Sequence, residues 1–122
     1  MMGQTTLMEK AAKCTAAITQ EHTFAKFGAD DDTVDVASAA TDKLIGVIQH
    51  TTSAAGEVVR VMMLGISRIK LGGTVTRGDE LTADSAGKGV AATAGQSTGG
   101  IALASGVTGD IIPVYCRPVN AI

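Results

Sequence analysis

A chain of 122 residues with a net charge of −2 suits one domain and gives no electrostatic case for binding nucleic acid or an anionic membrane. Apolar residues make up 45% of it and aromatics only 2%, with no Trp, so any core is built of Val, Ile, Leu, Met and Ala rather than of aromatic anchors. Its 15 Gly against 2 Pro favour tight turns and strands over helices, and no apolar run reaches the roughly 18 residues of a membrane-spanning helix.

Residues 1–21 read as an N-terminal arm. Thr6-Leu7-Met8-Glu9 fits a capping box, and Leu7, Ala11, Cys14 and Ile18 recur at the spacing of one helical face. The segment is short and rich in Ala and Thr, no Gly closes it near Gln20, and an isolated helix of this length is marginal in water. The expectation is an arm, extended or briefly helical, that orders only against a partner. Leu7, Ala11, Cys14 and Ile18 are its candidate contact residues. Residues 22–122 then form the folded domain.

His22 to Phe27 alternates as a strand, with Phe24 and Ala25 on opposite faces, and ends at Gly28. Asp30-Asp31-Asp32 is a solvated turn: it lacks the ligand spacing and the closing Glu of an EF-hand loop. Thr33 to Val36 is a short strand with Val34 and Val36 on one face. Ser38 to Asp42 is a loop, and Lys43 to Ile45 lead into a hairpin.

That hairpin is written twice. Gly46-Val47-Ile48 runs through a small polar loop to Gly56-Glu57-Val58-Val59-Arg60-Val61, and Gly100-Ile101-Ala102 runs likewise to Gly109-Asp110-Ile111-Ile112-Pro113-Val114. Gly46 maps to Gly100, Gly56 to Gly109 and Val61 to Val114, with one residue deleted from the second loop. Val59, Val61 and Met63 then correspond to Ile112, Val114 and Cys116, each set on one strand face. The expectation is two hairpins packed as related halves of one small core.

Between the copies, Arg68 to Leu71 alternates charged with apolar residues, as a half-buried strand does. Gly72-Gly73 turns the chain, Val75 and Leu81 flank Thr76-Arg77-Gly78-Asp79, and Asp84 to Gly89 is another turn before Val90-Ala91-Ala92. Residues 93–99 are a loop, and Pro118 is expected to end the last strand. Short strands at short intervals with glycine turns predict an all-β fold, a small β-barrel or sandwich of antiparallel strands.

The chain spells out no catalytic constellation. His22 and His50 belong to no metal-ligand spacing, and there is no Gly-x-Ser-x-Gly elbow and no P-loop. Cys14 paired with either histidine, as in a small hydrolase, has no local signature. Cys14 and Cys116 are read as free thiols, since no charged-then-apolar leader opens the chain and a cytoplasm-like compartment disfavours a bridge. Arg77-Gly78-Asp79 matches an adhesion tripeptide, but Gly permits the turn and Asp79 can cap it, so the bland reading is architecture. The Gly-acid steps at 56–57, 78–79 and 109–110 start strands after glycine turns.

One family resemblance runs through this succession. Ile45-Gly46-Val47, Ala55-Gly56-Glu57, Gly73 to Leu81, Asp84 to Gly87, Gly100 to Leu103 and Gly109 to Val114 occur in the order that resembles the small capsid decoration, or cement, proteins of tailed bacteriophages. The likeness covers residues 22–118 and leaves the arm unmatched. It implies a compact β-domain, a minor capsid protein that binds the major capsid protein on the outside of an assembled head as a homotrimer and stabilises it. It implies no catalysis; the absence of a ligand constellation adds the expectation of no cofactor and no metal, and the net charge that of no nucleic-acid or membrane partner. The four arm residues become contacts to the capsid or to another subunit, and the protein ends in the virion after synthesis in the host cytoplasm. A head-fibre protein is a variant of this reading. A barrel-sandwich carrier is a competing one, since Val75 to Leu81 looks like the strand entry of lipoyl and biotinyl domains. Its modifiable lysine would have to be Lys88, whose Gly87-Lys88-Gly89 context does not match theirs.

Overall fold

The computed structural model describes residues 5–119; the first four residues of the expected arm and the last three of the domain lie outside them. The described chain is all-β. Its strands are β1 (Thr5–Cys14), β2 (Phe24–Phe27), β3 (Thr33–Val36), β4 (Leu44–Ile48), β5 (Val58–Lys70), β6 (Glu80–Ala83), β7 (Gly89–Ala91), β8 (Thr98–Ala102) and β9 (Ile111–Val119). They form one nine-stranded sheet in the order β1-β3-β2-β4-β5-β9-β8-β6-β7, with a further pairing of β1 to β5.

Strand β5 organises the sheet. At 13 residues it is long enough to serve two lobes. Strand β1 runs antiparallel along one of its edges, from Thr5↔Ile66 to Lys13↔Val58. Both β1 and β4 pair with Val61 and Met62, and both β1 and β9 pair with Gly65 and Ile66. A strand has two edges, so β4 and β9 must follow one another along the edge opposite β1. Gly65, at φ 132°, lies where that edge passes from one partner to the other. A side chain is rarely tolerated at such a φ, and glycine carries none.

Two rings result. The first closes as β1-β3-β2-β4-β5 and back to β1. The second runs β5-β9-β8-β6-β7 and closes through a parallel bridge from Leu71, just past β5, to Gly89. Closure removes most of the open edges that a sheet this size would otherwise present. Each ring has its own buried cluster. Ala12, Cys14, Ile18, Ala25, Val34, Ile45, Ile48, Val59 and Val61 form one. Met62, Ile69, Leu71, Leu81, Ala102, Ile112, Val114 and Cys116 belong to the other, which also takes in Phe24, Leu44 and Val47. Alternation explains the split: Val59 and Val61 turn to the first cluster and Met62, one residue on, to the second. Val34 and Val36 share the first cluster, and Phe24 and Ala25 face different clusters, as their alternation requires.

The duplicated hairpins keep the register expected of them. Ile48 pairs with Val61 as Ala102 pairs with Val114, and Val47 with Met62 as Ile101 with Tyr115. They do not share one core, however. Val59 and Val61, with Met63 packed against them, belong to the first cluster, whereas Ile112, Val114 and Cys116 belong to the second. Strand β9 runs one residue beyond Pro118, to Val119. Strand β1 also pairs in parallel with β3, at Lys13↔Thr33 and Cys14↔Val34.

The largest departure from the sequence reading is the segment taken for an arm. Its described part is β1 and the chain that follows, built into the first ring. Ala12, Cys14 and Ile18 are buried at 4%, 2% and 1% exposure. The physical reason is backbone pairing: the free edge of β5 offers a ladder, and each residue fixed gains hydrogen bonds as well as burial, offsetting its ordering entropy of roughly 1–2 kcal/mol. The chain is extended from Thr5 to Cys14, so its side chains alternate with period two and the helical spacing of Leu7, Ala11, Cys14 and Ile18 puts them on no common face.

Candidate interaction surface

Of the four expected contact residues, Cys14 and Ile18 are taken up by the molecule's own core, while Leu7 is 66% exposed and Ala11 is exposed. The Cys14 thiol lies 3.3 Å from both Thr52 Oγ1 and the Ala54 carbonyl, and the Ile18 N–H donates to Thr52 Oγ1 at 2.9 Å. These bonds fasten the end of the β1 segment to the loop before β5. Only Leu7 and Ala11 remain available to a partner.

A cleft of about 300 Å³ opens where β1 diverges from the β2–β3 hairpin. Lys10 stands on one wall and the Gly28–Asp32 turn on the other, with Phe27, Val34 and Ile45 between them. Strand β1 touches β3 only at Lys13 and Cys14, so the earlier outer edge of β1 meets no strand among the described residues. Lys10 Nζ spans the gap to Asp32 Oδ1 at 3.0 Å. Thr33 donates through its hydroxyl to the Asp30 carbonyl, and the Asp30 N–H donates back to that hydroxyl, which closes the turn. Asp32 holds a left-handed φ of 63°, which a short polar side chain tolerates. The carboxylates of Asp30 and Asp31 find no cation among the described residues. No group of three His, Cys, Asp or Glu side chains is arranged to hold a metal ion among the described residues.

Several of the other chemically suggestive residues make structural hydrogen bonds. His50 Nε2 accepts from the Arg60 N–H at 3.1 Å, which leaves Nδ1 as the donor to the Thr51 carbonyl, also at 3.1 Å. His22 is half-buried at a φ of 60°, with Nδ1 unpartnered. Burial pulls its pKa down, Glu21 opposes that, and Arg68 adds to it. Burial pushes the Cys116 thiol up to about 12, against a smaller opposing hydrogen bond from the Ser67 backbone, so it is not a nucleophile near neutrality. Asp79 Oδ2 accepts from the Thr76 N–H at 3.0 Å, and the Arg77 N–H donates to Ser105 Oγ at 2.9 Å. The Arg-Gly-Asp carboxylate is therefore engaged in its own turn. Asp110 does the same for Val107 at 2.9 Å. Lys88 sits at the foot of its turn, just before β7, with its Cβ over Gly72 rather than at the hairpin tip where a carrier lysine stands.

What sequence reading missed is Phe27, 55% exposed at the mouth of the cleft. Its signal was present, since a strand of alternating faces that buries Ala25 turns Phe27 the same way, to a position where the core has already ended.

No protein-family model matches the chain. No curated protein matches it either. One solved structure, the head fiber gp8.5 N base of bacteriophage phi29, matches at a TM-score of 0.69 and 17% identity, over 90% of this chain and 93% of that one. At that identity the likeness is one of fold.

Proposed function

We propose that this chain is a structural protein of a tailed-phage virion that binds the outside of the assembled head. It is not an enzyme on this reading and needs no cofactor. It contacts the major capsid protein, stabilises the shell as a decoration or cement protein, and acts as a homotrimer after synthesis in the host cytoplasm. The observation that carries the proposal is the match of fold, over nearly the whole of both chains, to the head fiber base of bacteriophage phi29. The order of glycine-turn motifs, which resembles decoration proteins, supports it independently.

The same neighbour favours a second reading, in which the domain is the base of a head fibre, since the matched structure is the base of one. The two readings differ in what the protein does for the shell. Heads lacking the protein, purified and incubated with the recombinant chain, are sedimented and then heated. Decoration predicts co-sedimentation in saturable amounts and a rise in the temperature at which the heads release DNA. Co-sedimentation without that rise favours the fibre base. A chain that stays in the supernatant would overturn both.

A further inference from the structure

Ile66, Tyr115 and Ile101 stand in one row across β5, β9 and β8, for Ile66 pairs with Tyr115 and Tyr115 with Ile101. The residues next to them along each strand, Ser67, Val114 and Ala102, are buried within the second ring. Alternation therefore turns the row outward, where all three side chains are half-buried. Strand β1, which pairs with the same part of β5, brings exposed Leu7 and Met8 beside the row, and β9 adds exposed Val119. Among the described residues these side chains make a part-exposed apolar patch on the outer side of the sheet.

Its rim is cationic. Arg68 and Lys70 follow Ile66 on the same face of β5, and neither has a carboxylate partner among the described residues. Arg68 Nε is buried and makes no hydrogen bond. Arg117 is paired with Glu80 at 3.2 Å. Glu21 and His22 border the rim, the His22 carbonyl accepting from the Lys70 N–H at 2.8 Å.

The complementary surface lies at the other end of β5. Exposed Phe27 leads into the Asp30-Asp31-Asp32 turn, where Lys10 satisfies Asp32 alone. Lys13 pairs with Val58 and donates to the Asp32 carbonyl at 2.9 Å, which sets this tip level with the start of β5. From Val58 to Ile66–Lys70 the strand rises roughly 26–40 Å at about 3.3 Å per residue. One molecule cannot lay its own tip on its own face.

We infer that the two surfaces are the halves of a single heterologous contact between copies of this chain. The Phe27–Asp32 tip of one copy docks on the Ile66–Tyr115–Ile101 face of the next, with Phe27 against the apolar row and Asp30 and Asp31 against Arg68 and Lys70. A head-to-tail contact of this kind closes into a ring when its rotation allows and otherwise runs on as a filament. It stands whether or not the head-surface reading does.

Charge reversal at each half tests it by sedimentation velocity on the full chain. The wild type is expected to self-associate, and more weakly as salt screens the pairs. D30K/D31K and R68E/K70E, each checked by circular dichroism to be folded, should each associate roughly tenfold more weakly. Mixed in equal amounts they should recover association, because each reversed tip then meets a reversed face. Phe27→Ser, which changes no charge, should weaken association without altering its salt dependence. A wild type that stays monomeric up to millimolar concentration would overturn the inference. So would reversed variants that associate like the wild type, or a mixture no tighter than its components.

Discussion

Gly46 and Gly100 hold the same place in the two halves of the molecule. A Cβ built on Gly46 would run into the Met62 carbonyl and stand 2.9 Å from Val61 Cγ1; on Gly100 it would run into the Tyr115 carbonyl and stand 2.9 Å from Val114 Cγ2. In each hairpin the opposing strand passes directly over the glycine. The obstacle is backbone, which cannot swing aside as a side chain can.

Gly46→Ala and Gly100→Ala are therefore each expected to lower stability by about 1–3 kcal/mol through forced backbone displacement. Gly56→Ala and Gly109→Ala meet no atom within 4 Å but have φ of 87° and 91°, so their cost is conformational alone, about 1 kcal/mol. Urea unfolding of the four variants should divide them into these two pairs, each pair matching across the duplication.

Ile18→Ala should lower stability by about 2–5 kcal/mol, because the side chain is enclosed in the first cluster. Leu7→Ala should change it by no more than about 0.5 kcal/mol, as a surface substitution. Amide exchange adds a second check: Ala12 and Cys14 should be protected like their partners in β5, and deletion of residues 2–20 should unfold the domain. Rapid exchange at Ala12, or a folded truncated protein, would return the segment to the status of a detachable arm.

Much of the architecture was legible in the sequence, and the failures have specific causes. The register Gly46 to Gly100 and Val61 to Val114 is carried by local pattern, glycine, apolar run and acid, and it holds in the pairing of Ile48 with Val61 and Ala102 with Val114. The fate of β1 is not local. Lys13 pairs with Val58, far along the chain, and nothing around Lys13 records that β5 has an edge to offer. Leu7, Ala11, Cys14 and Ile18 happened to match a helical spacing, while Ala12, the residue that reveals period two, is too bland to register. The two cores were hidden for a related reason. With Val61 and Met62 both apolar, the sequence says that β5 is buried on both faces but not that separate clusters bury them. The cleft was least legible, since Lys10, Phe27 and Asp30–Asp32 meet only through the parallel pairing of β1 with β3.

The acid side of the stability profile should depend on His22. Its folded pKa lies below the ordinary 6.5, chiefly because burial disfavours the imidazolium. The unfolded chain then binds the proton more readily than the folded one. The resulting stability is fully present above the unfolded pKa and is lost as pH falls through the folded value. His22→Asn, which tolerates the left-handed φ of 60°, should flatten thermal midpoints between pH 7 and 5 relative to the wild type. A variant that loses stability as steeply as the wild type over that range would place the dependence elsewhere.

Both thiols should report global unfolding. Cys14 and Cys116 are buried at 2% and 0% exposure, and the Cys116 thiol is held up to about 12. Neither should react with a thiol reagent near neutral pH until denaturant unfolds the chain, and both should then react together. Early release of Cys14 alone would show the first ring opening on its own.

On the proposed function, the domain sits on the outside of a phage head. A cryo-electron reconstruction of heads saturated with the protein tests it most directly. The account predicts discrete density on the outer surface into which the double-ring fold fits, with the copies touching one another tip to face. Saturated heads whose outer surface carries no added density would contradict it.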